Sequence, residues 1–224
     1  MDRLIKTLRA RIMRLFFRHL YTTFAWAYDL VSWSSSMGQW RTWQHTALID
    51  LPEGRLLEVG HGPGHLLLDL CRLGREVYGV DASRQMAGMA KERLKRDTGL
   101  NINVCGRAQA LPFLSSTFAG VIATFPSEYV LDPEALKSIY RVLHSGGCFV
   151  IVGVAEITGT ALYDRFAAWL YRIAGQTRTS GEPLASWLDD LERYGFAAKV
   201  EVVRLPRARV TRVIASKITM EESV

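Results

Sequence analysis

Several things are missing from this 224-residue chain, and each absence removes a class of function. No run of eighteen apolar residues occurs, so no helix is expected to cross a bilayer. The first residues lack the compact apolar core and small-residue cleavage site of a secretory leader. Cysteine is scarce and odd in number: Cys71, Cys105 and Cys148 lie far apart in apolar runs. They suggest neither a disulfide framework nor a thiolate metal site. His45, His61, His65 and His144 show no metal-ligand spacing, so no metal is expected and they read as isolated surface or loop histidines. Together these absences predict a cytoplasmic protein. Internal repeats are lacking too, and Ser34 to Ser36 is the sole low-complexity stretch.

What is present is globular. Apolar residues make up 49% and charged residues 22%, enough for one α/β domain with a proper core plus an appendage. The net charge is +6, and the first eighteen residues hold Arg3, Lys6, Arg9, Arg11, Arg14 and Arg18 against Asp2, a net of +5. The basicity is therefore local. Leu4, Leu8, Ile12, Leu15, Phe16 and His19 fall on one helical face there, which predicts a basic amphipathic helix.

From residue 55 onward, short apolar runs alternate with helical periodicity. This is the pattern of βαβ units in a parallel sheet covered on both faces. Expected strands are Arg55 to Gly60, Glu76 to Ala82, Asn101 to Arg107, Phe118 to Phe125 and the stretch CFVIVGVAE. Helices are expected around Leu66 to Leu70, Met86 to Leu94, Leu136 to Leu143 and Ala161 to Ile173, with another from Pro183 to Tyr194. Gly74, Gly99 and the pair Gly146-Gly147 are expected to stop helices. The tail reads as two alternating strands joined through Leu205 to Arg207. The predicted fold is thus α/β and Rossmann-like: a seven-stranded, mostly parallel sheet with an antiparallel C-terminal hairpin, helices on both faces and an N-terminal helical lid. The expected division is a basic helix and aromatic lid over 1–45, the main domain over 46–218 and a tail over 219–224.

The stretch LLEVGHGPGH, residues 56 to 65, follows a predicted buried strand and opens a helix, where nucleotide-type ligands sit in open α/β sheets. Its glycines, Gly60, Gly62 and Gly64, fall at relative positions 1, 3 and 5, whereas a dinucleotide fingerprint wants 1, 3 and 6. Side chains are absent so that a ligand can touch the backbone. Glu58 just ahead of the loop would repel a pyrophosphate and attract a ligand carrying ammonium and sulfonium charges. Asp81, ending the second strand, is placed to accept hydrogen bonds from ribose hydroxyls. The site therefore looks built for a cationic nucleoside.

LLEVGHGPGH, VYGVDAS, ALPFLSSTFAGVIATFPSEYV and RVLHSGGCFVIV, in that order, resemble successive motifs of class I S-adenosylmethionine-dependent methyltransferases, particularly the ubiquinone/menaquinone-methylase-like (type 11) group. The resemblance runs over residues 25–218. It implies S-adenosylmethionine as cofactor and S-adenosylhomocysteine as product. Glu58, Gly60, Gly62 and Gly64 would hold the methionine end, with His61 inside the loop near the methionine carboxylate. Asp81 would hold the ribose, with Ala82 and Phe125 at the strand ends, and Met86 would pack near adenine or simply in its helix core. Where the group often carries GDA, this chain reads Gly106-Arg107-Ala108. Arg107 cannot accept from the adenine amine, so Ala108 backbone and Gln109 are the expected substitutes.

The exit of the fourth strand, Thr124-Phe125-Pro126-Ser127-Glu128-Tyr129, carries neither the Asn- or Asp-Pro-Pro-aromatic stretch of exocyclic-amine methylases nor a cysteine after proline. That points away from nucleic acid and toward a small hydrophobic or lipid acceptor, with Glu128 and Tyr129 as candidate catalytic groups or as capping and packing residues. YTTFAWAYDLVSWSSSMGQWRTW is dense in aromatics, and its Tyr28-Asp29 pair resembles the N-terminal motif of quinone methylases. His19, Tyr21 and Tyr28 are the members expected to face an acceptor, while Trp26, Trp33, Trp40 and Trp43 fit a packing role. The basic helix has two compatible readings, a lid over the cofactor or a peripheral contact with the inner, anionic membrane face. Two alternatives stand beside this expectation: an RNA methyltransferase that uses the basic helix for phosphates, and a catalytically silent cofactor-binding interaction protein.

Overall fold

A computed structural model describes residues 38–49, 51–158 and 182–218. A short helix α1 (Trp40–Gln44) runs into a 3-10 turn at His45–Leu48. Then follow β1 (Leu56–Val59), α2 (His65–Arg72), β2 (Val77–Asp81), α3 (Arg84–Thr98), β3 (Asn103–Cys105), β4 (Phe118–Thr124), α4 (Pro133–Val142), β5 (Leu143–Ile157), α5 (Glu182–Arg193), β6 (Phe196–Leu205) and β7 (Ala208–Lys217). The strands form one seven-stranded sheet in the order β3-β2-β1-β4-β5-β7-β6. β1 to β5 pair in parallel, and β7 is antiparallel to both β5 and β6. The expected C-terminal hairpin is thus present.

The central strands read as unbroken apolar runs because both their faces are covered. All four residues of β1 and all seven of β4 are buried. Alternation sorts them into two cores. On one face Val121, Ala123, Phe149 and Ile151 meet Leu136 and Ile139 of α4 and Trp187 of α5. On the other, Leu56, Ile122, Val150 and Val152 meet Leu66, Leu67 and Leu70 of α2, Leu94 of α3 and Trp43 of α1. The expected boundary between residues 45 and 46 falls inside the 3-10 turn that follows α1, and that turn shares this second core through Ala47.

Local chemistry sets the helix ends. Ser83 caps α3, its Oγ accepting from Met86 N–H, and Gly99 closes that helix with a left-handed φ of +73°. Asp132 caps α4 by accepting from Glu134 and Ala135 N–H, with Pro133 in the first turn. Gly74 stops α2 as expected, its N–H donating to Cys71 O. The Gly146-Gly147 pair does not stop α4, which is a correction: the helix ends at Val142, and the glycines lie inside β5. Gly147 is needed for close packing, since a Cβ there would stand 2.9 Å from Ala119 O on β4. The helix expected over 161–173 lies outside the described residues.

Candidate active site

Strand order reverses between β1 and β4, which opens a crevice at the carboxyl ends of the strands, where ligands bind in sheets of this kind. The glycine loop leaves β1 there, Asp81 ends β2, the Gly106–Gln109 stretch follows β3, and Phe125 to Tyr129 follow β4.

Gly60, Gly62 and Gly64 all take positive φ, +74°, +56° and +80°, which only glycine adopts without strain. Their surroundings differ. Nothing lies within 4 Å of a Cβ built on Gly62, so this turn is open to a ligand. A Cβ on Gly64 would stand 2.7 Å from Ala90 Cβ on α3. The missing side chain at residue 64 therefore also lets two helices approach. A Cβ on Gly60 would meet Tyr129 Oη at 2.1 Å. Gly64 N–H donates to His61 O at 3.0 Å, and an Arg93 guanidinium nitrogen on α3 donates to Pro63 O.

Asp81 braces the loop from β2. One carboxylate oxygen accepts from Gly62 N–H and the other from Ser83 N–H, both at 2.8 Å. A carboxylate has about four acceptor sites, so two remain for hydroxyl groups. Ala82, next along, is exposed.

Glu58 lies beneath the loop, fully buried in β1, and neither carboxylate oxygen has a hydrogen-bond partner. Burial first, then the nearby negative charge of Asp81, pushes its carboxyl well above the usual range. The Leu67 amide at the start of α2 pulls the other way without reaching hydrogen-bond geometry.

His61 lies in the loop, as one of its two expected readings had it, but it is 3% exposed and so is not a surface residue. A Cβ on Gly79, the register partner of Glu58, would meet His61 Cδ2 at 2.8 Å, so the ring lies over the same face of the sheet as Glu58. Burial holds the imidazole below its ordinary value, although Asp81 and the Gly62 carbonyl favour the charged form. His61 Nδ1 is 2.7 Å from Gly62 O, and a carbonyl can only accept, so Nδ1 carries the proton of the neutral ring. Nε2 is then a bare acceptor, buried without a partner. It suits an ammonium group, not the carboxylate expected of it.

On the far side of the loop, Met86 is fully buried in α3 among core residues. Ala108 is buried and Gln109 half-buried in a 3-10 turn (Ala108–Ala110), while Arg107 is exposed. Gly106 N–H donates to Asp81 O at 2.9 Å, which ties this stretch to the end of β2.

At the exit of β4, Phe125 has φ +48°, a conformation unfavourable for a bulky side chain and found mostly where the surroundings enforce it. Its N–H donates to Val152 O at 2.7 Å, and its ring lies 4.5 Å from that of Trp40. Tyr129 Oη donates to Val59 O at 3.3 Å, which sets its hydroxyl at the mouth of the glycine loop. Glu128 opens the 3-10 turn Glu128–Leu131, but its side chain lies outside the described residues. His19, Tyr21 and Tyr28 also lie outside them.

Several participants were missed by sequence reasoning. Gln44 Nε2 donates to Thr124 Oγ1 at 3.1 Å, and Asp69 on α2 accepts from Arg41 and, at 2.7 Å, pairs with His45 Nε2. These contacts seat α1 beside the exit of β4. Arg212, 2% exposed, fixes the same segment by donating to Thr46 O at 3.1 Å and Ile49 O at 2.8 Å. Among the described residues, no group of three or more His, Cys, Asp or Glu could hold a metal ion, and no helix is long and apolar enough to cross a membrane.

Comparison with known proteins agrees with this architecture. Residues 57–151 match the methyltransferase domain family. A demethylmenaquinone methyltransferase of Symbiobacterium thermophilum is 32% identical over 163 residues, which is 69% of this chain and 64% of that protein. The aligned part thus spans a little under two thirds of that relative. A crystal structure of a putative S-adenosyl-L-methionine-dependent methyltransferase from Methanococcus maripaludis superposes with a TM-score of 0.64 at 21% identity, covering 88% of this chain and 93% of the other. Geranyl diphosphate C-methyltransferase from Streptomyces coelicolor, solved with geranyl diphosphate and S-adenosyl-L-homocysteine, superposes at 0.58 with 13% identity over 80% and 79% of the two chains. Residues 57–151 thus carry a methyltransferase domain, set in the fold seen in S-adenosyl-L-methionine-dependent methyltransferases.

Proposed function

We propose that the protein transfers a methyl group from S-adenosylmethionine to a small hydrophobic or lipid acceptor, and that it works peripherally at an anionic membrane surface. The observation that carries this reading is Glu58, a fully buried carboxyl with both oxygens unpartnered, beneath the open turn at Gly62. A buried carboxyl left without partners is costly unless a ligand supplies them. A ligand with an ammonium group and a ribose fits the residues present: Glu58 and His61 Nε2 accept, Gly62 leaves room, and Asp81 keeps acceptor capacity for two hydroxyls.

When bound, the sulfonium supplies an electrophilic methyl group for in-line displacement. The chain's own part is then alignment and exclusion of water. Tyr129 stands at the loop mouth, and Trp40 and Phe125 form an aromatic wall at the exit of β4, a surface suited to a flat, apolar acceptor. Phe125 keeps that wall in place through its bond to Val152 O.

The names of relatives, demethylmenaquinone methyltransferase and ubiquinone/menaquinone biosynthesis C-methyltransferase, make demethylmenaquinone the first acceptor to try. It belongs in its hydroquinone form, because an electrophilic methyl group needs an electron-rich ring carbon. The expected result, with cofactor labelled in the methyl group, is label in the quinone fraction of a lipid extract. Label in RNA, or in no acceptor of a whole-cell extract, would overturn the reading.

A further inference from the structure

We infer that binding of the S-adenosyl cofactor is coupled to loss of a proton from Glu58, so that the unliganded site holds this carboxyl neutral and the ligand's ammonium group drives its ionisation. The inference rests on the cofactor reading above and goes beyond it, because it assigns a protonation change to one residue.

The geometry leaves Glu58 little choice. Its side chain is withdrawn from solvent, and no donor reaches either oxygen. An isolated carboxylate in such a place takes up a proton instead of staying charged.

The charged and titratable groups around it do not help. Asp81 on β2 and Asp69 on α2 both oppose its ionisation, and Asp69 is already engaged by Arg41 and His45. His61 in its neutral form presents a bare Nε2, its one proton being on Nδ1 and turned to Gly62 O. From β4 the register partner is Ile122, and from α1 the nearby buried polar group is Gln44, both uncharged. No cation of the protein is therefore positioned to stabilise a carboxylate at Glu58 among the described residues.

An ammonium group entering over Gly62 changes this balance, directly or across one water. The step is complete as written: neutral Glu58 and the cationic amine go to carboxylate, bound ammonium and one proton released to solvent. His61 Nε2 accepts a second ammonium hydrogen, so two acceptors of this chain share the group. By linkage, affinity then rises with pH while the unliganded carboxyl is still protonated, by up to about tenfold per pH unit for one proton. The rise stops once Glu58 ionises unaided.

The test is calorimetric titration of the whole chain with S-adenosylhomocysteine between about pH 5 and about pH 6.5, where the ligand amine keeps its proton. Each pH is repeated in buffers of different ionisation enthalpy, so that proton release is read directly. Release approaching one proton per ligand in the wild type, lost in Glu58→Gln while weaker binding persists, is the expected result. Binding of the wild type without proton exchange at any pH overturns the inference and leaves the cofactor reading standing. Release that persists in Glu58→Gln also overturns it, because another group is then the source. Absence of any S-adenosylhomocysteine binding overturns the cofactor reading and this inference together.

Discussion

Two ionisable side chains are withdrawn from solvent on opposite halves of the sheet, and the protein treats them in opposite ways. Arg212 in β7, 2% exposed, bonds to Glu201 through Nε at 3.0 Å and through a terminal nitrogen at 2.5 Å, and gives further bonds to the carbonyls of Thr46 and Ile49. Glu58 in β1 is equally buried and has no partner for either oxygen. A buried charge with its hydrogen bonds satisfied joins parts of a fold, whereas one left unsatisfied is a cost that only a ligand removes. The antiparallel half of the sheet thus anchors the segment around α1, and the parallel half keeps a vacancy of charge for chemistry.

The largest expected effect breaks the satisfied member. Arg212→Met removes a donor from the carbonyls of buried Thr46 and exposed Ile49 and leaves a gap in the packing of β7, while Glu201, 30% exposed, can be hydrated again. A loss of about 3 kcal/mol is expected in denaturant unfolding, and S-adenosylhomocysteine affinity of the folded fraction should hold. An Arg212→Met protein as stable as wild type would show that the anchor contributes nothing.

Asp81→Ala should weaken S-adenosylhomocysteine binding by about 1.5–3 kcal/mol in calorimetry, through two lost ribose bonds and a loosened Gly62. Unchanged affinity would place the pocket elsewhere.

Gly64, packed against a neighbour, and Gly62, open, sharpen the contrast further. Gly64→Ala forces a methyl group against Ala90 at 2.7 Å, and with the left-handed φ it should cost about 2 kcal/mol of stability. Gly62→Ala meets nothing within 4 Å, so only the backbone term of about 1 kcal/mol applies, yet it should lose cofactor affinity because the methyl fills the ligand's space. Equal stability losses in thermal melts would contradict the division of labour between these positions.

The smallest effect is a pH dependence of the unliganded protein. Glu58 holds its proton to higher pH in the fold than in the unfolded chain. Between those two values the folded state carries the extra proton, so stability falls as pH rises out of the ordinary carboxylate range. Asp69 runs the other way. Burial would raise its carboxyl, but hydrogen bonds and charge from Arg41 and His45 hold it below the usual value, so its contribution is present at neutral pH and is lost as pH falls through that lowered value. Glu58→Gln should flatten the first slope, and His45→Ala with Arg41→Ala should flatten the second, both followed by melting temperature against pH.

Much of this was legible in the sequence because it is local. The apolar runs of β1, β4 and β5, the helix stops Gly74 and Gly99, the glycine loop and the acid ending β2 are written within a few residues of where they act. What escaped depends on distant partners. The packing role of Gly64 was not legible because Ala90, which it lets approach, sits a helix away. The burial of His61 within its loop was not legible because the ring packs over Gly79 of β2, far along the chain. Arg212 reads as an ordinary polar position of an alternating strand, and its carbonyl partners Thr46 and Ile49 lie at the other end of the chain. The Trp40 and Phe125 pair needs α1 docked on β4, which no spacing reports.

The central claim is that the glycine loop, with Glu58 beneath it and Asp81 beside it, is a site for an S-adenosyl ligand and not for a dinucleotide. Calorimetric titration of the protein with S-adenosylhomocysteine and, separately, with NADH tests it most directly. The account predicts micromolar binding of S-adenosylhomocysteine and none of NADH, whereas binding of NADH, or of neither, would contradict it.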